Sequence, residues 1–180
     1  MKLQLIQFLL ASLSANLAIG QEPIVTFDKI TTTVVANNPF AGDWSCEISG
    51  SGEIGSCKIP MKKDLPDTMR MKGNIEFQGS EVVDFDVTVC EAFENEEVGK
   101  DILKHGIPKG EFPQQCPCKA GMDYEISNYK VPKEKIPPGV PDGDFSADLY
   151  MYEPGKDPYG TVHIEGKISH ELPKPPGLGR

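Results

Sequence analysis

Val83-Asp84-Phe85-Asp86-Val87-Thr88-Val89 alternates apolar and polar residues at every step. Met69-Arg70-Met71-Lys72-Gly73-Asn74-Ile75-Glu76-Phe77-Gln78, just upstream, does the same, with apolar residues or Gly at the odd positions. A period of two puts all the apolar side chains of such a segment on one side of an extended chain, so each reads as a strand with one buried and one wet face. Gln78-Gly79-Ser80 between them is short and turn-like, which suits antiparallel neighbours.

The same pattern returns downstream. Phe145-Ser146-Ala147-Asp148-Leu149-Tyr150-Met151 and Val162-His163-Ile164-Glu165-Gly166-Lys167-Ile168 alternate as cleanly, and Pro154-Gly155-Lys156-Asp157-Pro158 supplies the turn. Ile24 to Ala36, rich in Val, Ile and Thr, and Tyr124 to Val131 are weaker strand candidates. Gly50 to Gly55 reads as a turn between Cys46 and Cys57. A short helix is expected within Glu91 to His105, with Phe93, Val98, Ile102 and Leu103 inward and Gly99 against it. Six or seven strands of this kind predict an all-β fold, an immunoglobulin-like two-sheet antiparallel β-sandwich.

The amino terminus has a different character. Lys2 is followed by the uncharged, largely apolar stretch Leu3 to Ile19, which closes on Ala18-Ile19-Gly20. That is the layout of a secretory signal peptide, with cleavage expected near Gly20. The alternative is a membrane anchor, but the strongest apolar run, Leu5 to Leu13, is far short of the roughly 20 residues a spanning helix needs. The expected organisation is therefore a signal peptide over residues 1–20, one domain over 21–172, and a Pro- and Gly-containing tail over 173–180. The expected destination is extracellular, or lysosomal.

Without its first 20 residues the chain carries 17 − 27 = −10 charges, since Lys2 is one of the 18 basic residues in the sequence. Such a chain repels nucleic acid and anionic membranes at neutral pH, and it has no basic stripe, so nucleic-acid binding is excluded. Cys46, Cys57, Cys90, Cys116 and Cys118 predict two structural disulfides and one odd thiol in an oxidising compartment. Cys116-Pro117-Cys118 is too short for the usual redox or zinc spacing. No metal, cofactor or catalytic residue is expected: His163 alternates outward on its strand, Asp84 and Asp86 lie on a wet face, and the nucleophile-elbow and zincin motifs are absent.

Cys116-Pro117-Cys118-Lys119-Ala120-Gly121, Tyr124-Glu125-Ile126, Val131-Pro132, Ile136-Pro137-Pro138-Gly139 and Gly143-Asp144-Phe145 together resemble the second half of an ML domain. This is the MD-2-related lipid-recognition family, and the chain is most similar to its GM2-activator branch, over roughly residues 69–168. The resemblance implies a bridge between Cys90 and Cys116. It does not account for Cys118. In the family, a cysteine near the mature amino terminus pairs with one on the last strand, but here that strand has Thr161, so Cys46–Cys57 is a plausible replacement.

The resemblance also implies two sheets splayed around a lipid tail. The expected cavity wall is Met71, Ile75, Phe77, Val83, Phe85, Val87, Val89, Tyr124, Ile126, Phe145, Leu149, Met151, Val162 and Ile164, continued by Met69. This face carries no charge, and its Met side chains adapt to an irregular guest. Each buried methylene of a tail is worth about 0.8 kcal/mol. The same faces would also close into an ordinary packed core. Ile107, Pro108 and Phe112 are candidates for an apolar rim that touches a membrane transiently, or for a loop that covers the sandwich end.

The function implied is that of a non-enzymatic lipid-binding and transfer protein similar to the GM2 activator. It would extract a glycolipid or phospholipid and present it to a hydrolase, a lysosomal glycosidase being a candidate partner. Its alternatives are an extracellular carrier or recognition protein for a sterol, fatty acid, pheromone or microbial lipid, and a secreted interaction β-sandwich with a filled core.

Overall fold

The computed structural model describes residues 22–95, 99–109 and 118–171. The expected signal peptide, the tail, Val98, Phe112 and Cys116 lie outside the described residues. Nine strands are described: β1 (Glu22–Val34), β2 (Ser45–Ser49), β3 (Ile54–Pro60), β4 (Arg70–Phe77), β5 (Ser80–Thr88), β6 (Gly106–Ile107), β7 (Asp123–Tyr129), β8 (Gly143–Tyr152) and β9 (Gly160–Glu171). They form a five-stranded sheet, β1-β9-β8-β4-β5, and a four-stranded sheet, β2-β3-β7-β6. All pairings are antiparallel. The expected two-sheet β-sandwich is the fold.

The sheets meet along β1. A methyl group at Gly55 of β3 would stand 3.5 Å from the Phe27 ring of β1. The Thr32 hydroxyl, also on β1, donates to the Trp44 carbonyl at 3.1 Å. On the opposite side, β5 and β6 are the edge strands of the two sheets among the described residues. The chain crosses between those edges through two short helices, α1 (Val89–Glu94) and α2 (Gly99–Leu103).

Here the structure corrects two expectations. The helix expected within Glu91 to His105 is two helices, and Val89 begins the first of them rather than ending a strand. Thr88 caps α1: its hydroxyl accepts from the Glu91 amide at 3.1 Å, while the Glu91 carboxylate accepts from the Thr88 amide at 2.8 Å. This reciprocal pair satisfies two otherwise orphaned donors and turns the chain out of β5. At Gly99 a Cβ would lie 1.8 Å from the Ala92 carbonyl oxygen, so only glycine lets α2 fold back onto α1.

The core is gathered at one end of the sandwich. Met69, Val89 and Met151 meet Phe40, Ala41, Met61, Leu65, Cys118 and Tyr124 there, all buried. Phe93 of α1 and Leu103 of α2 pack against this cluster. Loop residues supply much of it. Asn38 holds that loop by accepting from the Phe40 and Ala41 amides at 2.9 and 3.1 Å.

Cys46 and Cys57 stand opposite each other on β2 and β3, 4.1 Å apart at Cα, and are joined by a disulfide. Cys90 is disulfide-bonded as well; its expected partner, Cys116, is among the residues not described. Cys118 is a free, buried thiol, and burial pushes its pKa up to about 11.

Candidate functional site

The strand register brings the expected wall residues other than Val89, Tyr124 and Ile126 onto one face of the five-stranded sheet. Met71 of β4 pairs with Val87 of β5 and Met151 of β8, and Ile75 pairs with Val83 and Ala147. Phe77 faces Phe145, Leu149 faces Val162, and Ala147 faces Ile164. Gly73 lies between Phe85 and Leu149 in the same rows. Since cross-strand partners point to the same side of a sheet, these side chains make one apolar surface turned toward the other sheet. Tyr124 and Ile126 stand across from it on β7, within and against the core cluster.

Burial along this surface is uneven. Met151, Val89 and Tyr124, at the filled end, are 8%, 4% and 6% exposed. Further along the face Ile75, Phe77, Phe85, Phe145 and Leu149 are partly buried, while Gly73, Ala147 and Phe27 are buried. Val83, on the edge strand, is 43% exposed although its register turns it inward.

The conformation of the aromatic side chains is the second feature. Phe85 and Leu149 close over Gly73, so that a Cβ there would lie 2.3 Å from Phe85 Cε1 and 2.9 Å from Leu149 Cδ2. The Phe145 ring covers Gly166 of β9, with a clash distance of 2.7 Å to Cζ, and Phe77 Cζ stands 2.7 Å from the Cβ position of Gly143. Each ring fills the notch left by a glycine in its own sheet instead of reaching toward the facing one. Phe145 is also in edge contact with Phe27, the centroids 6.5 Å apart. The glycines were missed as wall residues by sequence reasoning, although a glycine inside a strand pattern is the signal of a close approach.

The outer face of the five-stranded sheet is polar. His163 bonds through Nδ1 to Asp148 at 2.8 Å and through Nε2 to Glu165 at 3.2 Å. The Asp148 hydrogen bond, followed by that to Glu165, raises the His163 pKa. Asp86 accepts from the Tyr152 hydroxyl and pairs with Arg70 at 2.7 Å, and these partners, Tyr152 first, hold its pKa down. Asp84 stands exposed.

The same outer face carries an open depression of about 550 Å³, with Asp28, Glu76, Gln78, Asp144, Glu165 and Lys167 on its lining. Phe145 and Gly166 also reach its wall, so its lining is mixed. Among the described residues, no group of three or more His, Cys, Asp or Glu is placed to hold a metal ion. No helix among them is long and apolar enough to cross a membrane. Of the expected rim, Ile107 is 38% exposed on the edge strand β6.

The chain is thus a disulfide-bonded, two-sheet antiparallel β-sandwich. Residues 60–147, from the end of β3 to the middle of β8, match the model of a family described as a protein of unknown function (DUF1091). No curated protein matches the chain.

Proposed function

We propose that this protein is a secreted, non-enzymatic lipid carrier of the ML type, similar in action to the GM2 activator. It holds the tail of a glycolipid or phospholipid between its sheets and leaves the head group outside for a hydrolase. The observation that carries this reading is the inward face of β4, β5, β8 and β9: apolar, uncharged and only partly covered beyond the core cluster. Rings laid onto Gly73, Gly143 and Gly166 keep side chains close to their own sheet. An apolar space of that kind accepts an acyl chain without any charged partner. Secretion is supported by the Cys46–Cys57 disulfide and by the signal-like residues 1–20.

Native mass spectrometry of protein purified from its own source tests the reading, together with uptake of a fluorescent fatty acid. A co-purifying lipid mass and saturable uptake are expected, and the lipid mass distinguishes a glycolipid or phospholipid from a sterol or free fatty acid. A clean apo mass with no uptake would replace the carrier with an interaction sandwich that has a filled core.

A further inference from the structure

The contact between Phe85 and Gly73 is tighter than any other ring-on-glycine contact along the apolar face. The Cβ position at Gly73 lies 2.3 Å from Cε1 and 2.4 Å from Cζ of the ring. Real Cβ atoms do not approach carbon so closely, since nonbonded carbons sit about 3.5–4.0 Å apart. The two residues are direct cross-strand partners, and Leu149, the partner of Gly73 on the other side, reaches in over the same point. Gly73 is itself buried, whereas Phe85 and Leu149 remain partly exposed.

A side chain at residue 73 would therefore have two soft neighbours to displace. The atoms in its way are the far end of a ring and a terminal methyl group, not backbone. The ring could not go deeper into the sheet and would swing away from β4, on the side of the second sheet.

We propose that Gly73 is the specificity-determining residue of the interior. By letting the Phe85 ring and Leu149 lie down on β4, it sets the width available to an extended alkyl chain midway along the slot. This inference rests on the lipid-carrier reading and assigns to that site the residue that gauges its guest. Phe85 is the movable wall, and residue 73 decides whether it lies flat or stands up.

The experiment compares wild type, Gly73→Ala, Phe85→Leu and the double variant Gly73→Ala/Phe85→Leu in titrations with a fluorescent straight-chain fatty acid and a fluorescent sterol. Circular dichroism and thermal unfolding monitor the fold of each. Gly73→Ala should weaken fatty-acid binding about tenfold or more, as expected when a tail loses contact with two or more methylenes' worth of wall. The double variant should recover most of that loss, because the shortened side chain no longer stands in the slot. Phe85→Leu alone should bind the sterol more tightly than wild type. Fatty-acid binding by a folded Gly73→Ala within about twofold of wild type overturns the proposal, as does a folded double variant without recovery. If Gly73→Ala does not fold, Phe85→Leu decides: unchanged affinity for both probes overturns the gauge. Failure of wild type to bind either probe would count against the carrier reading itself.

Discussion

Asp148 of β8 and His163 of β9 stand directly opposite each other on the outer face of the five-stranded sheet, Oδ1 to Nδ1 2.8 Å. Glu165 takes the other ring nitrogen at 3.2 Å and is itself paired with Lys29 at 3.3 Å. The Asp148 and Glu165 bonds favour the charged imidazolium and raise the His163 pKa above its ordinary value. A raised folded-state pKa contributes stability below the unfolded value of about 6.5, and that stability is lost as pH rises through the folded value. His163→Gln should therefore lower the thermal midpoint at about pH 5.5, and the deficit should shrink toward about pH 8.5. A deficit constant across that range would mean that packing, not charge, sets the effect. The pair is partly exposed, so the change should be small and should weaken with salt.

Removing Asn38 should be far more costly. Its side-chain oxygen accepts from two amides in the core loop, and its amide donates to the Tyr159 carbonyl at 3.2 Å. With Asn38 only 4% exposed, water cannot replace those bonds. Asn38→Ala strands the Phe40 and Ala41 donors, each worth about 1–3 kcal/mol. A loss of about 2–4 kcal/mol in urea unfolding is expected, and a loss under about 0.5 kcal/mol would show that the loop relaxes to find other acceptors.

These two sites mark how much could be read from the chain alone. The outer position of His163 follows from strand alternation, as do the faces of β4, β5, β8 and β9, because one face of each is wet. Asn38 gave no such signal. The core it organises draws Phe40, Ala41, Met61 and Leu65 from loops, where no periodicity reports burial. Strands β2 and β3 were hidden for a related reason. Their Ser, Gly, Cys and Pro residues have little strand preference, and β3 owes its place to partners on both sides. In α1 the alternation runs on through Val89, and the Thr88–Glu91 capping box overrides it. The flattened rings at Gly73 and Gly166 depend on cross-strand register, which a single strand does not encode.

The Cys46–Cys57 bridge fastens β2, an edge strand, to β3 across a sequence separation of 11. Closing a loop of that size restricts the unfolded chain, which amounts to about 2–3 kcal/mol. Cys46→Ser/Cys57→Ser should lower stability by that amount, and amide exchange should accelerate first in Ser45–Ser49. Unchanged protection of β2 would show that its hydrogen bonds to β3 suffice without the link.

Cys118 should behave as an inert thiol. It is 5% exposed, and burial raises its pKa to about 11, so about 0.1% is thiolate at pH 8. Ellman's reagent should leave Cys118 unmodified in the native protein and modify it in denaturant. Rapid native reaction would mean that the core end of the sandwich opens readily.

Under the proposed carrier function, charge should govern the approach to a membrane. Residues 21–180 carry −10 at neutral pH, which repels anionic vesicles. Carboxylates with reference pKa values of about 4 begin to take up protons near pH 4.5, and the repulsion falls. Asp64, Asp86, Glu91, Glu153 and Glu165 have pKa values below those of ordinary carboxylates. Backbone or side-chain hydrogen bonds hold their pKa values down: from Ala120 to Asp64, Tyr152 to Asp86, Thr88 to Glu91, Lys156 to Glu153 and Lys29 to Glu165. Those bonds stabilise the fold above the ordinary carboxylate range and are lost only as pH drops through the lowered values, so the protein should shed surface charge before it loses structure. Lipid extraction from anionic vesicles should be faster at about pH 4.5 than at pH 7, with little difference for neutral vesicles. Equal rates from anionic vesicles at the two pH values would remove electrostatics from the uptake step and leave apolar contact to control it.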